Sequence, residues 1–164
     1  MRWANFLYRD TSGAAAAEMA LIIPLALALI FTTFEGAYYM ICEHRVVKGV
    51  RDASRYAARL DLSNYACPGG TFLGDPTTVK NLARTGQLSG GTVAVPGWGI
   101  DSNDVTIAVT CDSGRGGIYL ATGGNAPRVR ISTRVVYPSL MGSMGFTAAT
   151  IYIGAAAQSP VIGL

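Results

Sequence analysis

The most pronounced pattern in the chain is a hydrophobic block near its start. Residues 14–41 are apolar, small or hydroxyl-bearing except for two acids, Glu18 and Glu35. A helix rising ~1.5 Å per residue needs ~20 residues to cross a ~30 Å hydrocarbon core, so the run over about 19–42 can span a membrane. Pro24 removes one backbone donor in its early turns, and the small Ala26 and Ala28 nearby permit close helix packing. A removable secretory signal has an apolar core of ~7–15 residues followed by an A-x-A-like cleavage site. This run is longer and no such site follows it, so the helix is expected to be retained.

Beyond Cys42 the pattern turns amphipathic. Val46, Val47, Val50, Ala53, Ala57 and Leu60 recur at helical spacing, while Arg45, Lys48, Arg51, Asp52, Arg55 and Arg59 take much of the other face. One helix over residues 14–62, ~70 Å long at the standard rise, carries both patterns. The apolar stripe of its second half needs a cover, which the remaining chain can supply.

Residues 64–74 read as a loop around Pro68-Gly69-Gly70. Asp75 as N-cap, Pro76 at the first helical position and Gly86 after Arg84-Thr85 bracket a short helix over 76–85. Val105, Ile107, Val109 and Cys111 alternate with more polar residues and predict a half-buried strand. Val129, Ile131, Thr133, Val135 and Tyr137 alternate with Arg128, Arg130, Ser132, Arg134 and Val136, predicting a second strand with a basic outer face that Pro138 ends. A third β-prone run covers 147–157, after a turn over 142–145. The expected fold class is therefore α+β: a long N-terminal transmembrane helix continuing into a small antiparallel sheet domain, in an order the sequence does not set. The expected division is a leader over 1–13, the helix over 14–62 and an extracytoplasmic α+β domain over 63–164.

Composition narrows the picture. With 164 residues there is room for one modest domain beyond the helix, and a two-domain enzyme is not expected. The net charge is +3 and the basic residues are dispersed, so nucleic acid is not an expected partner. Of three cysteines, Cys42 ends the hydrophobic run, while Cys67 and Cys111 lie in the polar part, where an exported domain can oxidise them. A bridge between them would close a loop of about 45 residues, worth ~4 kcal/mol by chain entropy. Two buried free thiols are the alternative, and the compartment argument favours the bridge.

Chemistry-bearing motifs are not found. The only histidine, His44, has no zinc-ligand spacing around it, and no second histidine serves a catalytic serine. Asp101-Ser102-Asn103-Asp104 lacks the glycine and distal glutamate of an EF-hand loop, and Gly114-Arg115-Gly116-Gly117 lacks a P-loop lysine. No catalytic residue, metal or cofactor is expected, and the chain reads as a non-enzyme.

The informative residues are Gly13-Ala14-Ala15-Ala16-Ala17-Glu18, preceded by Leu7-Tyr8-Arg9-Asp10. A glycine closing a short polar leader, with a glutamate five residues later at the mouth of a hydrophobic helix, resembles the processing site of type IV pilin-like proteins. Phe34-Glu35-Gly36, then Val50-Arg51-Asp52-Ala53-Ser54-Arg55-Tyr56-Ala57-Ala58, resemble the corresponding region of TadE-like proteins. Tyr137-Pro138-Ser139-Leu140 is similar to that family's end. The resemblance implies a minor pseudopilin of the tight-adherence (Tad) pilus, cut after Gly13 by a prepilin peptidase to leave Ala14 as the new N-terminus. It further implies as partners other Tad pseudopilins, the major pilin and an inner-membrane assembly platform. The protein would cross the bacterial inner membrane once, with its C-terminal domain outside the cytoplasm.

The two acids have physical reasons of their own. A carboxylate inside a bilayer costs ~2.5–3.5 kcal/mol even on a lenient scale, so Glu18 needs a partner, and the freed amino group of Ala14 on a neighbouring subunit would serve. Alternatively Glu18 sits among headgroups, where the helix dipole favours an anion. Glu35 is an intramembrane acid, or else snorkels toward water beside Tyr38 and Tyr39. The positive charges argue the other orientation, because Arg2 and Arg9 precede the span while Arg45, Lys48 and Arg51 follow it. Those three interleave with Glu43 and Asp52, and the cysteines favour an oxidising side. A membrane-anchored binding module, with loops at 64–74, 86–104 and 112–127 touching a surface, is the competing function.

Overall fold

A computed structural model of the chain describes residues 12–99, 105–145 and 150–163. Most of the expected leader, and the turn expected over Asp101–Asp104, lie outside the described residues. One helix, α1, runs without interruption over Ser12–Arg59, with Pro24 inside it. The chain divides into two compact units, Met1–Tyr38 and Tyr39–Leu164.

In the first unit the side chains of α1 are almost all exposed, including Leu21, Leu25 and Phe34. Its two threonines do not leave hydroxyls bare: Thr32 donates to the carbonyl of Ala28 and Thr33 to that of Leu29, each one turn back. That arrangement suits a helix in a solvent that offers no hydrogen bonds.

The second unit is an α+β fold. After α1 come two two-residue strands, β1 (Tyr65–Ala66) and β2 (Thr71–Phe72), then helix α2 (Pro76–Thr85) and strand β3 (Val105–Asp112). Strand β4 (Ala126–Val136), a single helical turn α3 (Leu140–Ser143) and strand β5 (Tyr152–Pro160) follow. β1 and β2 form a small antiparallel hairpin, and the larger sheet has the order β3-β4-β5, antiparallel throughout. In register, Val109 faces Val129 and Val135 faces Ile153.

The core follows the two periodicities. From α1, Cys42, Val46, Val50, Ala53 and Ala57 are buried, whereas Arg45, Lys48, Arg51, Arg55 and Arg59 on the opposite face are exposed. From the sheet, Val105, Val129, Ile131, Val135 and Ile153 are buried, while Arg128, Arg130 and Arg134 stand on the solvent face. On the basic face Arg128 pairs with Asp112 at 2.6 Å. α2 contributes Val79 and Ala83, and the segment after it folds Val95 and Trp98 inward. Gly49 marks the closest approach: a β-carbon there would lie 2.0 Å from the carbonyl oxygen of Ala83.

The stretch expected as a loop over 64–74 carries the hairpin β1–β2, and three further details differ from the sequence-based expectation. α1 ends at Arg59 rather than 62, because the Asp61 carboxylate accepts from the Ser63 N–H at 2.8 Å and starts a tighter turn over Leu62–Asn64. The third strand is Tyr152–Pro160 rather than 147–157, since pairing with β4 sets its bounds; residues 147–149 lie outside the described residues. The turn expected over 142–145 begins as α3, whose first turn Ser139 caps by accepting from the Gly142 N–H at 3.1 Å. α2 has the bounds and caps expected: Asp75 accepts from the N–H groups of Thr77 and Thr78, and Gly86 closes it at φ 74°.

Candidate functional site

Gly13, Ala14 and Glu18 lie in the opening turns of α1, all exposed. Ala14 and Glu18 are four residues apart, so they share one face of the helix. A β-carbon at Gly13 would meet nothing within 4 Å, so this glycine is not there for packing.

Glu35, half-buried, lies 17 residues beyond Glu18, ~26 Å along the helix at 1.5 Å per residue. That is close to the ~30 Å thickness of a hydrocarbon core, so each carboxylate can reach one boundary of a bilayer. Between them no charged side chain occurs, and α1 is long and apolar enough to cross a membrane, with none of its most apolar window buried inside the protein. A helix of that composition left bare in water would expose far more contiguous apolar surface than soluble proteins tolerate.

Cys67 and Cys111 form a disulfide with their Cα atoms 5.9 Å apart, bridging a separation of 44 residues. It ties the β1–β2 turn to the end of β3. Cys42 is a free thiol buried in the second unit. The hairpin is further fixed by Tyr65, whose hydroxyl donates to the carbonyl of Ala57 on α1 and whose ring lies 5.5 Å from that of Phe72. Burial pushes the Tyr65 hydroxyl pKa up to about 12.

His44 is exposed, and no group of three or more His, Cys, Asp or Glu that could hold a metal ion occurs among the described residues. Sequence reasoning missed the role of Tyr39. Its ring packs edge-on against Tyr137, with centroids 5.2 Å apart, where the chain enters the folded unit. A pair of tyrosines so far apart in sequence gives no local signal of their contact.

A helix able to cross a membrane near the N-terminus, followed by a small disulfide-bonded α+β unit, is the plan of a single-pass membrane protein. Residues 13–55 match the family model for TadE-like proteins, so the chain carries a TadE-like segment that starts at Gly13 and runs through the span into the amphipathic half of α1. No curated protein and no solved structure matches the chain.

Proposed function

We propose that the protein is a minor pseudopilin of the Tad pilus, a structural and assembly component that performs no catalysis. The observation that carries this reading is the start of the TadE-like segment at Gly13, where a bare, uninterrupted apolar helix begins. On this reading a prepilin peptidase cuts between Gly13 and Ala14. The new amino group is a cation at a helix N-terminus inside or beside lipid, and the carboxylate of Glu18 on a neighbouring subunit compensates it. Glu35 marks the far boundary of the span.

The protein then crosses the bacterial inner membrane once, with the disulfide-bonded unit outside the cytoplasm, where a bridge can form and persist. Its partners are other Tad pseudopilins, the major pilin and the inner-membrane assembly platform, and the pili serve surface adherence. The test is genetic. Deleting the gene from its host should abolish or sharply reduce surface pili counted by electron microscopy, and the wild-type gene should restore them. Normal pilus number in the deletion strain, with attachment alone impaired, would instead identify an adhesive binding module.

A further inference from the structure

The alternation of β4 puts a row of arginines on one face of the larger sheet. Val129, Ile131, Thr133 and Val135 are buried, so Arg128, Arg130, Ser132 and Arg134 point the other way, and all three arginines are exposed. Residues two apart on one strand lie ~7 Å apart on the same face, so the row from Arg128 to Arg134 is ~20 Å long.

The row is flanked by small, uncharged side chains. Directly across from Arg130 stand Ala108 on β3 and Gln158 on β5. Ser132 lies between Thr106 and Ala156, and Arg134 faces Gly154. The guanidinium groups therefore rise from a low floor. Among the described residues, the side chains of Arg130, Thr106, Ser132 and Gln158 make no hydrogen bond or ion pair within the protein.

Charge is unbalanced in the same place. Residues 113–164 contain no Asp or Glu, and the one acid on the three strands is Asp112 at the end of β3. It pairs with Arg128 at 2.6 Å and lies 4.0 Å from Arg115. Arg134 lies over the Tyr152 ring, 3.9 Å from its centroid. Arg130, in the middle of the row, is left with no counter-charge. Acids directly across from these arginines would stabilise the sheet, so their absence points to binding rather than to folding.

We propose that this face binds a linear polysaccharide bearing carboxylates, laid along β4. Three features select that chemistry. The planar fork of a guanidinium matches a carboxylate with two parallel hydrogen bonds. The hydroxyls of Thr106 and Ser132 and the amide of Gln158, interleaved with the cations, suit sugar hydroxyls that both donate and accept. The cations are also sparse. Duplex DNA carries a charge every ~1.7 Å of its axis, against three arginines over ~20 Å here, so carboxylates spaced by sugar rings fit better. The face lies wholly within the second unit, and the proposal holds whether or not the protein enters a pilus.

The test uses the full chain in micelles of an uncharged detergent, titrated calorimetrically at one fixed salt concentration with alginate oligomers, in which every sugar carries a carboxylate. The face predicts saturable binding to these oligomers and none to neutral dextran oligomers of equal length. Arg130→Gln, which has no partner to lose among the described residues, should weaken binding about ten-fold, the loss of one charge-assisted pair. Arg55→Gln removes the same charge from α1, which covers the opposite face of the sheet through the contact of Ser54 with Ser159, and should leave binding unchanged. No binding of alginate, equal weakening by the two substitutions, or equal binding of dextran overturns the proposal. Tighter binding of polyglutamate or of single-stranded DNA, lost in Arg130→Gln, makes a polypeptide or a nucleic acid the occupant and overturns it as well.

Discussion

Gly49→Ala should destabilise the second unit although alanine is the better helix former. In an unconstrained helix interior the exchange gains ~1 kcal/mol. Here the added carbon would lie 2.0 Å from the Ala83 carbonyl oxygen and 3.0 Å from an indole carbon of Trp98. The first neighbour is backbone within α2, so it cannot yield by rotating a side chain, and α2 must move by more than an ångström. Overpacking of that kind costs ~1–3 kcal/mol or more, and a rigid backbone neighbour places this site at the upper end. The net loss is therefore ~2 kcal/mol, a fall of roughly 4–8 °C in melting temperature for a unit of this size. The control is Gly36→Ala, where a β-carbon meets nothing within 4 Å. The assay is thermal unfolding of the full chain in detergent micelles, followed by the fluorescence of the buried Trp98. A Gly49→Ala protein that melts with the wild type, or with Gly36→Ala, would refute the close packing of α1 on α2.

Reducing the Cys67–Cys111 bridge, or replacing both cysteines by serine, should cost ~4 kcal/mol for a loop of this length, read as a lowered urea midpoint. The folded unit should also lose stability in alkali. Tyr65 carries a pKa raised to about 12, so its contribution is complete below the ordinary value of about 10 and is lost as pH rises toward the folded value. Tyr65→Phe should flatten that alkaline limb, measured by unfolding at pH 9 to 12, roughly the span between those values, while destabilising the unit at neutral pH because the Ala57 carbonyl loses its donor. At the acid end, hydrogen bonds from the Thr78 hydroxyl and the Thr77 N–H hold the Asp75 carboxyl below its ordinary range. Its stabilisation is present above the unfolded value and fades as pH falls through the folded one. Asp75→Asn keeps a cap but should remove that acid dependence of helix α2, followed by circular dichroism. Glu18→Gln should leave cleavage after Gly13 intact while lowering pilus number, scored on the same cells by mass spectrometry and electron microscopy.

Local signals carried most of the fold. α2 was legible because Asp75, Pro76 and Gly86 each act within a few residues of the helix ends. Strands β3 and β4 were legible because buried Val and Ile alternate with Thr or Arg, and the disulfide because two of the three cysteines lie in the polar part of the chain, beyond the apolar run. The hairpin β1–β2 was not legible: two-residue strands are too short for a period, and they are held by Cys67 and by the Tyr65 hydroxyl rather than by propensity. β5 was misplaced because Gly154 and the three alanines after it show no alternation, so only cross-strand pairing with β4 sets its bounds. The site divides in the same way. Gly13, Glu18 and Glu35 stand out as exceptions in a uniform apolar run, whereas the Tyr39–Tyr137 contact and the packing of Trp98 on Gly49 are made only by tertiary folding.

The central claim is best tested on the protein from its native membrane, by intact mass and N-terminal sequencing of the wild type, of Gly13→Ala and of a strain lacking the prepilin peptidase. Pilin-like processing predicts a mature form beginning at Ala14 that disappears in both controls. Persistence of the residues before Ala14 in the wild type, under conditions where pili form, would contradict it and leave a membrane-anchored binding unit in its place.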